Sequence, residues 1–407
     1  MNIKKIFSVL AMFATFAALA ADNDFVITDV PTEQGAAKIE WIKPACFVKD
    51  RYLAWSTLVA RKNGELVAVF SGDRNAKMCF SGKIQLIRSV DSGKTWSAPE
   101  TVYSSIVDDR DAGICEMPDG NLLVSFYSGL DSRRVTSWQG FEESKIVFKN
   151  TTEKERAAVL GNWQIHSVDT IGRKWARPVQ TYTSAPHGAV ALSNKSLLYV
   201  GKHRDRAIDP HENPEFWWKD RSSGKIFAEE SKDFGRTWNV IGEIPVAKKF
   251  VDTDKKTVSE PCVVECSNGM LLAQMRRQDK TDPDKPNTKL LQSESFDFGR
   301  TWTLAHEVDI EGYPPHLLNL GDRGILCTYA KRLKGKEGVY AKISGDFGKT
   351  WGGEIRLAGA LEGSKGDAGY PSTALLKDGS LLTMFYTKTS EGVGLYVVKW
   401  NVKNKKK

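Results

Sequence analysis

Histidine and cysteine are scarce, with six of each among 407 residues. No CxxC, HxH or HExxH spacing occurs, so neither a metal centre nor a cofactor is expected. The cysteines are Cys46, Cys79, Cys115, Cys262, Cys266 and Cys327. Cys262 and Cys266 fit one strand, about 13 Å apart at ~3.3 Å per residue, too far to bridge. Buried free thiols are the expectation. Past the first twenty residues no apolar run is long enough for a bilayer span. No basic–aromatic motif accompanies the positive charge, which argues against nucleic acid as a partner.

The chain does open on an apolar run. Lys4 and Lys5 precede Ile6 to Leu19, and Ala18-Leu19-Ala20 has the small residues of a cleavage site. Residues 1–20 are therefore expected to be a signal peptide, and the mature protein to be secreted or periplasmic and soluble. The formal net charge is +8, part of it in the tail 403–407. A basic surface would suit an acidic substrate, although a solvated tail and scattered lysines are the plainer explanation.

The most informative pattern is an octet, Ser-x-Asp-x-Gly-x-Thr-Trp. It occurs at Ser89–Trp96, Ser231–Trp238, Ser295–Trp302 and Ser344–Trp351, with a worn copy at Ser167–Trp175. The Asp and Ser side chains can bond nearby backbone N–H groups in a tight turn. The Gly supplies a positive φ, and the Trp a large ring to bury. Between the octets runs a second repeat, two apolar runs around a turn pair. Its six copies are Ser56–Phe70, Ala112–Tyr127, Gly188–Gly201, Pro261–Met275, Pro315–Tyr329 and Pro371–Tyr386. Asn-Gly and Asp-Gly between alternating runs are hairpin signals. Successive turns lie about 55 to 75 residues apart, close to the period of a propeller blade.

Five hairpins are followed by a third strand, an octet turn and a fourth strand; the sixth is followed only by Gly394–Trp400. The N-terminal stretch Asp24–Val48 has apolar runs and no hairpin. It is expected to supply the missing strand and close the ring, which removes open edges. The expected fold is an all-β, six-bladed propeller over residues 21–402. Two insertions, Asp131–Gln164 and His203–Arg221, each follow a blade's second strand; Phe141–Leu160 is read as partly helical.

Hairpin turns and octets share one face. The other face receives the loops before strand one and after strand two, where function concentrates on a rigid scaffold. Before strand one stand Asp108, Asp109, Arg110, Asp111, His187, Glu260, His316 and Tyr370. After strand two stand Asp73, Arg74, His203, Arg204, Arg276, Arg277 and Arg332. Acidic, basic, imidazole and phenol groups converging on one channel have the makings of a glycosidase site.

The octet resembles the Asp box of the sialidase (neuraminidase) superfamily, and the likeness runs over nearly all of the mature chain. Glu260–Arg276 resembles the exo-sialidase stretch in which a Glu starts an inner strand and an Arg ends its partner. Gly369–Tyr386 resembles the last-blade stretch that carries a tyrosine nucleophile. The resemblance implies Tyr370 as nucleophile, Glu260 as its base and Arg276 as a clamp on the substrate carboxylate. It places the acid/base Asp in the loop after Phe70, where Asp73 is the only Asp. It also implies two further arginines that are out of place here. The first position reads Leu53-Ala54-Trp55-Ser56, and the third holds Lys336 and Glu337. Arg110, Arg277 and Arg332 are the residues near enough to compensate. His187 and His316 are outside the usual sialidase set.

Three readings follow. The first is a secreted, retaining exo-glycosidase that releases a terminal acidic sugar. Tyrosine nucleophiles are the known exception to the two-carboxylate rule, because a neutral phenol avoids the repulsion that a carboxylate meets at a carboxylate-bearing anomeric carbon. In this reading Arg276, Arg110, Asp111, Arg332, His187 and His316 bind substrate. The second is a glycosidase or lyase acting on a different acidic sugar through His187, His316 and Asp111. The third is a non-catalytic carbohydrate-binding propeller using Trp217 and Trp218. The expected partner in each case is a glycan, and the expected state a monomer.

Overall fold

The computed structural model describes residues 33–34, 37–129, 141–203, 225–251, 255–281, 287–333, 335–359 and 366–402. The signal-peptide expectation for 1–20, the tail 403–407 and the Trp217–Trp218 pair all lie outside the described residues. Most of the insertion 203–221 lies outside as well.

The chain forms six antiparallel sheets arranged as a six-bladed propeller. Blade one pairs Ala54–Ala60, Leu66–Gly72, Lys83–Ser89 and Glu100–Tyr103 in that order. Blade two pairs Asp108–Glu116, Leu122–Gly129, Gly161–His166 and Val179–Thr181. In blade three the inner strand is split into Thr183–Ser184 and Val190–Ala191, both paired to Leu197–His203. Ile226–Ser231 and Asn239–Ile244 complete that blade. Blade four is Lys256–Glu265, Leu271–Asp279, Lys289–Ser295 and His306–Glu311. Blade five is His316–Asn319, Ile325–Lys331, Gly338–Ser344 and Ile355–Gly359.

Blade six joins the two ends of the chain. Ala368–Leu375, Leu381–Thr389 and Gly392–Val402 come from the C-terminal part, and Ala37–Cys46 pairs with Gly392–Val402 as the outer strand. The ring is thus closed as the strand count requires, with Glu33–Gln34 adding a short outermost pairing.

The core lies between blades rather than at one centre. Six buried clusters each fill one junction. Leu58, Phe70, Met384 and Tyr386 sit between blades one and six; Leu198, Ile226, Met275 and Leu291 sit between three and four. Alternation along each strand accounts for this, since one face packs on the preceding blade and the other on the next. Backbone and side-chain bonds also link neighbouring blades. Leu58 N–H donates to Ser372 Oγ at 2.9 Å, and Leu317 N–H to Cys262 Sγ at 3.3 Å. Ser193 N–H donates to Glu265 Oε2 at 2.7 Å. All six cysteines are free.

The octets form the turns between third and fourth strands. In Ser344–Trp351, Gly348 N–H donates to Ser344 Oγ at 2.7 Å, and Thr350 N–H donates to Asp346 Oδ1 at 2.8 Å. Thr350 Oγ1 donates to Asp346 Oδ2 at 2.6 Å. The bonds from Thr350 hold the Asp346 carboxyl down at about 2. One feature exceeds the sequence reading: the residue before the octet Gly is left-handed too. Ser92, Phe234, Phe298 and Phe347 all have φ near 60°. Of the two insertions, the first carries helices Phe141–Asn150 and Glu153–Val159. The second of these starts at a Thr152–Glu155 capping box.

Candidate active site

The inner strands of four blades share one local distortion. Pairing register shifts at Ala54/Thr57, Arg110/Gly113, Ser259/Cys262 and Gly369/Ser372. At each shift one non-glycine residue adopts a left-handed φ: Trp55 (54°), Asp111 (57°), Glu260 (49°) and Tyr370 (50°). Such backbone costs about 1–3 kcal/mol per residue and persists where the surroundings enforce it. A bulge of this kind re-aims a side chain. Here it turns an indole, two carboxylates and a phenol out of the pleat. Each of the four stands eight residues before the first residue of its hairpin turn, Asn63, Asp119, Asn268 or Asp378.

Tyr370 and Glu260 meet from blades six and four. Tyr370 Oη donates to Glu260 Oε1 at 2.7 Å. Arg276 Nη1, from the second strand of blade four, donates to both Glu260 oxygens at 2.7 Å and lies 3.5 Å from Tyr370 Oη. Burial raises the Tyr370 phenol well above its ordinary value, and the Glu260 charge adds to this. Burial also pushes the Glu260 carboxyl upward, but Arg276 and its hydrogen bonds outweigh that, so Glu260 titrates below the ordinary Glu value. The pair is a neutral phenol donating to a carboxylate.

Two more guanidinium groups surround Tyr370. Arg332 has its Cζ 5.6 Å from the Tyr370 ring centroid. Arg332 Nε donates to Ala368 O at 2.8 Å and Nη2 to Tyr386 Oη at 3.2 Å. Tyr386 in turn donates to Asp367 Oδ1 at 3.2 Å, and Tyr52 donates to the same oxygen at 3.0 Å. Among the described residues no carboxylate lies within ion-pairing distance of Arg332. Arg110 lies with its Cζ 4.2 Å from the Trp55 ring centroid and Nε 3.6 Å from Asp111 Oδ2. The Trp55 ring itself is 6.5 Å from that of Tyr370. Of the three arginines proposed as compensating, Arg110 and Arg332 are at the site. Arg277 is not: it pairs with Glu307 and Asp279 and lies over Phe250. Strand alternation explains the split, since neighbours Arg276 and Arg277 leave opposite faces.

His187 and His316 are buried together, with ring centroids 5.1 Å apart, and the His187 ring is 6.5 Å from that of Tyr370. Burial holds His187 down at about 3 and His316 well below its ordinary value. Both are neutral at physiological pH. Thr57 Oγ1 lies 2.9 Å from Pro186 O, 3.0 Å from Ala112 O and 3.4 Å from His187 Nδ1. Its one proton goes to a carbonyl, so Nδ1 is the donor to it. His187 Nε2 and Asp111 Oδ1 are buried without a hydrogen-bond partner.

The remaining residues of the acidic run serve the scaffold. Asp108 and Asp109 lie within the inner strand rather than ahead of it, as do Arg110, Asp111, Glu260, His316 and Tyr370; of the residues expected before strand one, His187 alone lies outside a strand. Asp108 accepts from buried Arg74 at 2.6 Å, and Asp109 from Ser105 and Ser128. Asp73 sits on the rim loop of blade one, 2.6 Å from Lys83 and 4.0 Å from Arg51. Its contacts are with those two cations and not with the Tyr370 group. Sequence reasoning missed Trp55, Tyr52, Tyr313, Tyr386 and Asp367. For Trp55 the eight-residue spacing was the available signal. Tyr52 and Tyr313 reach their partners across a blade junction, and Asp367 meets Tyr386 across the blade-six hairpin.

No protein-family model matches the chain, and no curated protein matches it in sequence. Solved structures do resemble it in shape. A Dyadobacter fermentans protein of unknown function superposes with a TM-score of 0.69 at 20% identity, over 91% of this chain and 100% of that one. Trypanosoma rangeli sialidase in complex with sialic acid gives a TM-score of 0.57 at 18% identity, over 90% of this chain and 59% of that one. Penicillium chrysogenum α-L-arabinanase complexed with arabinobiose gives 0.56 at 12% identity, over 88% and 98%. This chain therefore spans about three fifths of the trypanosomal enzyme. What it has in common with these proteins at such identities is its fold, a six-bladed propeller resembling those of glycoside hydrolases.

Proposed function

We propose that the protein is a retaining glycoside hydrolase of exo-sialidase type, releasing a terminal sugar whose anomeric carbon bears a carboxylate. The observation that carries this reading is the 2.7 Å hydrogen bond from Tyr370 to Glu260, with Arg276 bound to the same carboxylate. In the reaction Tyr370 Oη attacks the anomeric carbon while its proton passes to Glu260 Oε1. The glycosidic C–O bond breaks, and a protein acid protonates the leaving oxygen. Water, giving up a proton to the conjugate base of that acid, then attacks the anomeric carbon; the tyrosyl–sugar bond breaks as Glu260 returns its proton to the phenol oxygen. Arg276, Arg332 and Arg110 supply positive charge for the substrate carboxylate. The first twenty residues support export of the enzyme.

The proton donor in this scheme is Asp73, which would have to exchange Lys83 and Arg51 for the substrate, or Asp111, whose charge acts on the Tyr370 phenol. The donor's Asn variant should lose turnover of glycosides with poor leaving groups and keep that of activated aryl glycosides. Tyr370→Phe should lower kcat by about a thousandfold or more and leave the thermal unfolding temperature within a few degrees. Undiminished sialoside cleavage by that variant would remove Tyr370 from the chemistry.

A second reading has its own support. A uronate carboxylate bound near the unpartnered His187 Nε2 would supply the counter-charge that burial denies it and would let it take the proton that elimination removes. Incubation with uronate-terminated oligosaccharides separates the two, since elimination leaves an unsaturated, ultraviolet-absorbing product and hydrolysis does not.

A further inference from the structure

A groove opens beside the site, between blades four and five. Its lining includes Thr288, Glu311, Tyr313, Lys331, Arg332 and Lys336. Two of these belong to both places. Tyr313 faces Arg276 on the site side, with Arg276 Cζ 4.0 Å from its ring centroid. Arg332 lies 5.4 Å from the same ring and 5.6 Å from that of Tyr370. The groove therefore begins where the site ends, on the rim that also carries the blade-two to blade-six catalytic candidates.

Its wall is fixed before anything binds. Tyr313 N–H donates to Ala330 O at 2.8 Å and Gly312 N–H to Thr288 O at 3.2 Å. A Cβ at Gly312 would stand 2.5 Å from the Tyr329 ring and 2.6 Å from Ala330 O, so only glycine permits this approach. Lys331 is held by Glu354 at 2.7 Å, and its Nζ lies 4.8 Å from the Tyr340 ring centroid. The charge is uneven: with Lys331 paired to Glu354, Arg332 and Lys336 are left with a single lining carboxylate, Glu311. Among the described residues Lys336 Nζ has no carboxylate within ion-pairing distance. An aromatic wall beside convergent polar and charged groups is the lining of a cleft that orients a polar ligand.

We infer that this groove is a second sugar subsite, and that it takes an anionic sugar unit linked to the one held at Tyr370. The inference rests on the glycosidase reading for the identity of the first unit. It narrows the substrate class to glycans in which an acidic terminal sugar is followed by a second sugar bearing a carboxylate or a sulfate ester. Lys336 meets the anionic group, and Tyr313 offers ring surface to the sugar.

The test measures binding by calorimetry to the full-length Tyr370→Phe protein. The ligands are three disaccharides with the same acidic terminal sugar and a second unit that is carboxylated, sulfated or neutral. One or both anionic forms should bind about three- to tenfold tighter than the neutral one, and the form preferred identifies the group. The preference should shrink as salt rises and disappear in Lys336→Glu and in the milder Lys336→Gln. Equal affinity for all three ligands would overturn the inference, as would a preference that survives both substitutions. Tight, Lys336-dependent binding without hydrolysis by the wild-type protein would leave the subsite standing and overturn the hydrolase reading instead. Binding of none of them would overturn both.

Discussion

At the residue scale the site is set by burial acting against nearby charge. In the proposed reaction Glu260 must be ionised to accept the phenol proton. Its carboxyl lies below the ordinary Glu value because burial, which raises it, is outweighed by Arg276. The acid limb of the kcat/KM profile that reports Glu260 should therefore fall below pH ~4.5. Arg276→Ala removes the opposing charge, and the same limb should move to higher pH. His187 gives a stability prediction of defined sign. Its imidazole is held down at about 3 when folded, against roughly 6.5 when unfolded. Below pH ~6.5 the unfolded chain binds a proton that the folded one refuses, so acidification toward pH ~3 favours unfolding. His187→Asn should flatten that dependence, measured as the difference in unfolding midpoint between variant and wild type across this range.

The residue types at the site were legible in the sequence, and their company was not. Tyr370, Glu260, Arg276, Arg110, Asp111, Arg332, His187 and His316 could all be placed on one rim, because alternate loops of antiparallel strands exit at opposite ends. The Tyr52–Asp367–Tyr386 chain that steadies Arg332 joins residues 315 positions apart. No local pattern announces such a contact. Asp73 illustrates the converse. Its place in the loop was read correctly, yet Lys83 and Arg51 occupy it, and these cations have no fixed spacing from it.

At the scale of elements, two devices repeat. The octet turn replaces water around one carboxylate with bonds from its own backbone and from a Thr. Asp346→Ala would leave the Thr350 N–H and hydroxyl without their acceptor. The expected cost is about 1–2 kcal/mol, checked by denaturant titration. The inner-strand bulge is the second device, and it depends on close approach of neighbouring strands. At Gly113 a Cβ would stand 2.1 Å from Gly188 N, between blades two and three. Backbone cannot yield as a flexible side chain does. Gly113→Ala should cost about 1–3 kcal/mol and should also weaken substrate binding, because Asp111 and His187 flank this contact. The hairpins and octets were readable from turn chemistry. The bulges were not read as such, although the constant eight-residue offset marked them. A left-handed φ at Trp or Tyr runs against local preference, so only a comparison of repeats exposes it.

At the scale of the whole molecule the blade count followed from repeats alone, and so did the need for a strand from the other end of the chain. Ala37–Cys46 fills that place against Gly392–Val402. Removing residues 1–46 would strip the outer strand of blade six and expose the edge of Gly392–Val402. Such a truncated chain should associate through that edge, visible as a concentration-dependent rise in mass by light scattering.

The pairing of Ala37 with Val402 carries one more consequence. Entry and exit of the ring are neighbours, so where the polypeptide starts is topologically arbitrary. Tethering residue 402 to residue 37 with a few glycines and opening the exposed Asn194–Lys195 turn should yield a circular permutant. Its blade three would be the one stitched from two ends, and its site, assembled from the other rim, would be unaware of the change.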